Sequence, residues 1–525
     1  MIEQGLQRTQ LDQVAQWDLI VIGGGITGAG ILREAARNGY RALLLEQKDF
    51  TWGTSSRSSK MVHGGLRYLG SGHFGLTRDA VRERERMLRE LPGLVDNLYY
   101  LMPHYQRQFP GPRIFGLLLW IYDLIAGRRT RRFYPAGQAL QWLPGLRRDR
   151  LLGATRFSDA ITEDSRLVMR LLHEACGEGA ESFNYMAVTG LSPAGEGQGT
   201  QVTVEDRLDG RTLTLQARAV VSATGAWSDR LREQLGGGRS IRPLRGSHLI
   251  FPFWRLPVAA SVSFFHPTDR RAMFVFPWEG ITVVGTTDLD HKEDLDEEAV
   301  IDQAELDYLL EGANHVFPDA RLAAGDVMST WSGVRPVVSS GTGKDPSSES
   351  REHAIWDDLG VISVAGGKLT TFRLIAREVL DAAAPYLPQS QAQGDPDGPV
   401  FSPPPALQRP AGVSARQWHR LQGRYGPALP ELLASGPLEA IGSTDTLWAE
   451  LVWSARNERV QYLDDLLLRR TRLGLLLPEG AAAWLPAIRE RCQAALGWDD
   501  SRWDREEARY LALWRDAYSL PPETR

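Results

Sequence analysis

The stretch from Leu19 to Glu46 restricts the fold of this chain more than any other. Leu19-Ile-Val-Ile22 is an apolar run of strand length. Gly23, Gly25 and Gly28 follow it at the G-x-G-x-x-G spacing, and an apolar-patterned helix (Ile31, Leu32, Ala35, Ala36) closes at Gly39. Leu43-Leu-Leu45 is a second apolar run and ends in Glu46. Each glycine serves a distinct physical purpose. One makes the tight turn, one lets backbone approach a pyrophosphate, and one lets the helix pack against the strand. Gly23, Gly25, Ile26, Thr27 and Gly28 are therefore expected to place a pyrophosphate on the unpaired N–H groups and positive dipole end of the helix. Glu46 is expected to accept hydrogen bonds from ribose hydroxyls and to repel a 2′-phosphate. The pattern predicts a dinucleotide-binding α/β unit without saying which dinucleotide.

At 525 residues the chain has room for two or three domains. A net charge of −5 gives no global argument for a nucleic-acid partner. Cys176 and Cys492 are the only cysteines, and neither has a C-x-x-C neighbour. That argues against a disulfide framework or structural zinc and suits a reducing compartment. Residues 1–16 are polar with no apolar core of a secretory signal, and no apolar run reaches about 18 residues. The expectation is a cytoplasmic protein, at most lying on a membrane from the cytosolic side.

Further along, a hydroxyl-rich stretch (Thr51 to Lys60) precedes Met61 to Leu69, and Val81 to Leu91 reads as a charged, solvated helix face. Alternation in Gln201–Glu205 and Leu213–Gln216 predicts antiparallel strands leading into Ala219-Val-Val-Ser-Ala-Thr-Gly225. A second β-rich block spans Ile241 to Asp288, with strands at Ala272–Pro277 and Ile281–Gly285, and the acidic segment His291 to Gln303 leads into a helix. Gly360 to Thr371 repeats the opening logic: a buried strand enters Gly366-Gly367 and then a helix from Thr371 to Leu380. Pro388 to Pro410 reads as a linker, and Val413 to Arg525, with its seven tryptophans, as a separate all-helical domain. The expected organisation is a discontinuous dinucleotide-binding domain (about 17–75, 160–235 and 350–385), a β-rich substrate domain (about 76–159 and 236–349), a linker (388–412) and a helical domain (413–525).

Three distant glycine-bearing segments, Gly23–Gly28, Ala223–Gly225 and Gly366–Lys368, converge on one cofactor in this reading. A last contact more than 330 residues after the first favours FAD over NAD, because FAD is long and its ring must be held far from its adenosine end. The helix opening at Gly366-Gly367 is placed to stabilise an anionic reduced flavin. His63, Arg67, His248, Arg335 and Lys368 cluster beside these segments. Two arginines and a lysine suit a dianionic substrate, and His63 and His248 are candidates for accepting an alcohol proton, His63 slightly ahead. No H-E-x-x-H or other metal spacing occurs, and no G-x-S-x-G accompanies a triad. Ile114 to Ile125 is almost wholly apolar and is followed by Arg128, Arg129, Arg131 and Arg132. Spacing alone leaves open an interfacial helix or a buried core helix with a solvated arginine loop.

With these residues assembled, the chain resembles the FAD-dependent respiratory glycerol-3-phosphate dehydrogenases. The resemblance is carried by Ile22-Gly-Gly-Gly-Ile-Thr-Gly-Ala-Gly-Ile31, Thr54-Ser-Ser, Ser58-Ser-Lys60, His63-Gly-Gly-Leu-Arg-Tyr-Leu69, Gly246-Ser-His248, Val284-Gly-Thr-Thr-Asp288, Ser332-Gly-Val-Arg-Pro336 and Gly366-Gly-Lys-Leu-Thr-Thr371, with Leu463 to Leu473 similar to the family's helical domain. It implies an α/β fold in which a Rossmann-like FAD domain carries an antiparallel, amino-acid-oxidase-like substrate domain, with a C-terminal helical domain. It implies oxidation of sn-glycerol 3-phosphate to dihydroxyacetone phosphate, with electrons passing through FAD to a membrane quinone (ubiquinone or menaquinone). Arg67, Tyr68, Arg335, Lys368 and Thr370 would hold substrate, and Arg335, Lys368, His63 and His248 would serve the chemistry. Cofactor contacts would extend to Thr54, Ser55, Ser56, Ser59, Lys60, His63, Gly64, Gly65, Val188, Ala223, Thr224, Gly225, Gly366, Gly367, Lys368, Leu369 and Thr370. No His or Cys context marks covalent flavin, so FAD is expected non-covalent. A lipid-soluble acceptor favours the 114–125 segment as a peripheral attachment to the cytoplasmic face of the inner membrane. The rival readings are an oxidase that uses oxygen, a non-catalytic flavin-binding relative, and an amine oxidase of the same fold; a homodimer is left open.

Overall fold

The computed structural model describes the chain apart from residues 1, 3–4, 67–68, 70–73, 194–198, 340–351, 359, 391–396 and 525. The opening apolar run becomes Trp17–Ile22, the middle of a sheet in which Ala42–Leu45 and Glu181–Phe183 follow on one side and Thr212–Ser222 and Val361–Gly366 on the other, all parallel. These strands lack alternation because both their faces are covered. Leu19, Val21, Leu44, Val221 and Ile362 pack against the helices Ile26–Arg37, Asp164–Gly177 and Phe372–Ala383. Ile20, Leu43 and Val220 face the other way, toward Val202, Val204 and Leu231. The predicted alternating strands are Thr200–Asp206 and the first half of Thr212–Ser222, paired antiparallel before the latter continues parallel to Trp17–Ile22.

A second sheet of ten strands runs through Ile241–Pro252, Ile281–Gly285, Ala272–Trp278, Ser261–Phe265, Val95–Tyr105 and Leu151–Thr162, with Ser329–Val338 along the outer side of Ile241–Pro252. Most pairings are antiparallel; Ser261–Phe265 meets Val95–Tyr105 in parallel. The acidic segment does lead into a helix, Gln303–Val316, capped by Asp302 and packed on one face of this sheet. The opposite face is covered by Pro112–Ala126 and by C-terminal helices.

Three expectations change. The C-terminal segment is helical, from Ala415–Tyr425 to Asp500–Ala517. Its core is not separate, because Leu463, Leu466 and Trp448 join Ile250, Trp278 and Trp331 in one apolar cluster. The described part of the Pro- and Gly-rich linker is pinned rather than loose. Val400 and Phe401 are buried, and the Arg33 guanidinium donates to Val400 O at 2.9 Å. The charged helix Phe74–Glu90 is not merely solvated either. Glu83 is buried against Arg373 at 2.5 Å, and buried Arg84 donates to Tyr122 Oη at 2.7 Å.

Between the helical C-terminus and the dinucleotide-binding unit lies a seam of buried charge. Arg470 donates to both oxygens of Asp49 at 2.7 Å, and Arg472 reaches Glu163 and Asp164 at 2.6 Å each. Arg166 is paired with Glu458. All seven residues are buried.

Candidate active site

The glycine turn is shaped by backbone crowding. Gly23 has φ +112°, and a Cβ there would stand 2.5 Å from Ala223 O. A Cβ on Gly28 would overlap the Gly23 carbonyl oxygen, so the helix and strand meet only because both positions are bare. Gly25 caps the helix Ile26–Arg37, whose first-turn amides have no intrahelical acceptor. Ser55 Oγ accepts the Ile26 N–H at 2.9 Å. On the far side, Gly366 and Gly367 have φ +78° and +80°, turning strand Val361–Gly366 toward a short turn at Leu369–Thr371 and the helix beyond.

These segments enclose a cleft of ≈ 430 Å³, within the range of small-molecule and cofactor sites. Its lining includes Gly23, Gly25, Ile26, Thr27, Glu46, Thr54, Ser55, Val188, Ala223, Thr224, Gly225, Gly366, Gly367, Lys368 and Leu369, so the structure brings these sequence candidates together. Glu46 accepts Gly24 N–H at 2.7 Å and Lys48 N–H at 2.8 Å. Burial raises its carboxyl, and those two amides oppose the rise. Trp52, Trp227, Arg207 and Arg230 also line the cleft and carry no motif by which the sequence would betray them. The two indoles lie 5.9 Å apart and donate to Glu298 (3.0 Å) and Asp296 (2.8 Å), which places part of the acidic 291–303 segment against the cleft wall.

Other candidates lie off the cleft. Gly28 and Ser56 sit beneath it as packing. Lys60 points away: its ammonium is wholly buried, 2.9 Å from both oxygens of Asp164 and 2.6 Å from Ser56 O, a pairing the sequence separates by 104 positions. Burial lowers this ammonium to about 8 despite the opposing pull of Asp164. Gly64 donates to Asp159 at 3.0 Å, and Gly65 O lies 3.4 Å from the Thr77 hydroxyl. Arg67 and Tyr68 lie outside the described residues.

The remaining candidates form a polar wall beside the cleft. Arg335 stands on Ser329–Val338 next to cleft-lining Pro336, with its guanidinium 2.8 Å from Asp288 and 3.2 Å from Thr286 Oγ1. Lys368 is half-buried in the lining itself. Thr370 is buried, with its hydroxyl 3.4 Å from His63 O, so His63 is held against the turn that follows Lys368. His248 is buried, with Nε2 2.9 Å from Ser59 Oγ. Burial first, then the nearby charges of Arg335 and Lys60, push its imidazolium well below the usual range, which leaves the ring neutral.

Away from the cleft, Pro112–Ala126 is apolar on both faces. Phe115, Leu119 and Tyr122 are buried, whereas Ile114, Leu117, Trp120 and Leu124 are 46 to 62% exposed. Arg128 and Arg131 are paired with Glu85 and Asp123; Arg129 and Arg132 are exposed. Among the described residues no helix is long and apolar enough to cross a membrane.

Comparison with known proteins matches residues 18–381 to the family model described as FAD dependent oxidoreductase, and residues 375–503 to the C-terminal domain of alpha-glycerophosphate oxidase. Glycerol-3-phosphate dehydrogenase 2 of Mycobacterium tuberculosis is 33% identical over 521 residues, covering 95% of this chain and 88% of the relative. Aerobic glycerol-3-phosphate dehydrogenase of Bacillus subtilis is 37% identical over 371 residues, 70% of this chain and 66% of the relative. Among solved structures, the glycerol-3-phosphate dehydrogenase from Bacillus halodurans complexed with FAD aligns with a TM-score of 0.74 at 28% identity, covering 97% of each chain. L-alpha-glycerophosphate oxidase from Mycoplasma pneumoniae, with FAD bound, shares the fold with a TM-score of 0.57 at 16% identity, covering 75% of this chain and all of that one.

Proposed function

We propose, for a chain that belongs to the FAD dependent oxidoreductase family, the oxidation of sn-glycerol 3-phosphate to dihydroxyacetone phosphate at the polar wall of the cleft. The bare turn at Gly23 and Gly28, the helix start at Gly25 and the Glu46 carboxylate fit FAD, and so does the second turn at Gly366-Gly367. Bound there, FAD supplies the acceptor for the hydride leaving C2 of the alcohol.

The observation that carries the reading is the joint placement of Lys368 in the cleft lining and Arg335 beside cleft-lining Pro336. Two cations at one end of a cofactor cleft favour a phosphorylated substrate over a neutral alcohol. Asp288 and Thr286 hold the Arg335 fork in place, so little side-chain freedom is lost when it meets the phosphate. The same cations favour the oxygen as its proton leaves. An imidazole takes that proton, and the candidates are His63, against the turn after Lys368, and His248, near Arg335.

For the electron acceptor, the exposed apolar stripe on Pro112–Ala126 supports a quinone in the membrane over oxygen. Its length and the arginines after it suit a helix lying in the interface of the cytoplasmic face, where ubiquinone or menaquinone is within reach. The name of the matched C-terminal domain favours the oxidase alternative. Adding sn-glycerol 3-phosphate to the yellow holoenzyme without oxygen should bleach it; persistent colour would rule the reading out. Turnover of a quinone analogue should then greatly exceed peroxide formation in air, and the reverse ratio would make the protein an oxidase.

A further inference from the structure

His248 sits in a slot that fixes which of its atoms faces the site. Its ring stacks on Trp331, with centroids 4.7 Å apart and planes 22° apart. Trp331 and Gly285 are its cross-strand neighbours on either side. A Cβ on Gly285 would overlap the imidazole, so the slot closes over the ring and exists only because that position is glycine. Nε2 meets Ser59 Oγ at 2.9 Å, and Nδ1 is buried without a hydrogen-bond partner among the described residues. His248 is 1% exposed, whereas Ser59 is half-buried and follows cleft-lining Ser58. Ser59 is therefore the more exposed partner of this pair.

We propose that Ser59 is a catalytic residue of this oxidation, a hydroxyl relay through which the alcohol proton reaches His248. The relay rests on the glycerol-3-phosphate reading. As the C2–H bond breaks and its electron pair leaves for FAD, the substrate O–H proton passes to Ser59 Oγ. The Ser59 proton passes at the same time to His248 Nε2. The alcohol becomes a ketone, Ser59 is regenerated, and the imidazole carries the proton as imidazolium.

The surroundings fix both partners in place. The charged groups facing the ring are Arg335 and Lys60, both cations, so with burial they keep the imidazole neutral before the proton arrives. Ser59 is held in place by its neighbours: Ser58 N–H and Oγ both donate to Asp164, at 3.1 and 2.7 Å, and the Lys60 ammonium is bound to the same carboxylate. Arg472 completes that anchor from the C-terminal helices at 2.6 Å. Lys60 also lies 4.7 Å from the Trp331 ring, against the indole on which His248 stacks. Lys60, Asp164 and Arg472 are thus positioning residues for a proton path they do not touch.

The test is the anaerobic reductive half-reaction of the FAD-loaded protein, followed by loss of flavin colour. Bleaching of the wild type by sn-glycerol 3-phosphate establishes the underlying reading independently. Given that, Ser59→Ala should slow bleaching by about 10²- to 10³-fold, with half-saturation and FAD content changed by less than about threefold. Ser59→Thr, which keeps a hydroxyl, should stay within about tenfold of wild type, and His248→Asn should match Ser59→Ala. The double variant should lose no more than about threefold beyond either single, since both break one path. Wild-type bleaching by Ser59→Ala, or losses that multiply in the double variant, would overturn the relay and leave His63 as the direct acceptor. Should Ser59→Ala fail to retain FAD, the threonine and asparagine variants decide: a fast His248→Asn, or a Ser59→Thr as slow as His248→Asn, also overturns it.

Discussion

The cofactor cleft and the charged seam beneath it are built from opposite materials. The cleft works by leaving side chains out: at Gly23 and Gly28 backbone meets backbone where a single methyl would overlap or crowd it. The seam works by putting large charged side chains in, with Arg469, Arg470 and Arg472 buried against Asp49, Glu163 and Asp164. A bare turn costs little to form and tolerates no addition. A buried ion pair is expensive to desolvate and tolerates no removal, because the partner left behind stays buried and uncompensated. The first kind of site recognises a ligand; the second fixes how two parts of the chain sit against each other.

Breaking the seam should have the larger effect on the fold. Arg472→Met takes from Glu163 its paired guanidinium, while Asp164 keeps Lys60, and should cost about 3–5 kcal/mol in urea unfolding. The pH dependence sharpens this. Burial raises the Glu163 carboxyl, but Arg472 and its neighbours outweigh burial and hold it at about 2 against an ordinary 4.5. Its stabilising contribution is therefore complete above about pH 4.5 and lost as pH falls toward 2. Arg472→Met should flatten that acid limb, and an unchanged limb would mean that Glu163 is held by other cations. Breaking the cleft should separate cofactor from fold. Gly23→Ala should weaken FAD retention by about 100-fold or more, some 2.7 kcal/mol, while unfolding shifts by about 1–3 kcal/mol. Equal loss of stability from both variants would erase the contrast.

The same contrast explains what was legible in the sequence. Gly23 to Gly28 and Gly366-Gly367 declare themselves locally, since spacing alone says where backbone must be bare. Ala223 to Gly225 also declare themselves, as small residues that end an apolar strand, whereas Val188 enters only through the family resemblance. The seam has no local signature, because Asp49 and Arg470 lie 421 positions apart and a charged residue in sequence reads as a solvated one. Lys60 shows the consequence: assigned to the cofactor by its neighbours in the motif, it is turned the other way by Asp164. The helix Phe74–Glu90 misleads for the same reason, because Arg84 and Glu83 find buried partners at Tyr122 and Arg373. Trp52 and Trp227 escape notice because an indole in a loop reads equally well as core or as surface.

Arg335 lies between the two regimes, a charged side chain at the rim of the bare cleft. Arg335→Ala should raise the substrate concentration needed for half-maximal flavin bleaching by about 10- to 100-fold, the value of a charge-assisted contact, and leave FAD content unchanged. Parallel loss of cofactor and substrate binding would instead make its pairing with Asp288 part of the scaffold.

The smallest expected effect concerns a surface that obeys neither rule. Pro112–Ala126 has one face packed by Phe115 and Leu119 and another that presents Ile114, Leu117, Trp120 and Leu124 to solvent. A helix needs only its packed face to hold its place, so the exposed stripe has no role in the fold and is free to serve attachment. Each side chain is already about half covered, so burying the remainder is worth about 1 kcal/mol, roughly fivefold in partitioning. Leu117→Ser and Leu124→Ser should each weaken binding to anionic lipid vesicles by about that factor and together by about 25-fold, the sites being independent. Neither should move the unfolding midpoint or the rate of anaerobic bleaching. Vesicle binding untouched by the pair would remove the membrane argument for a quinone acceptor. A loss of stability would show that the stripe is covered in solution and belongs, after all, with the packed surfaces.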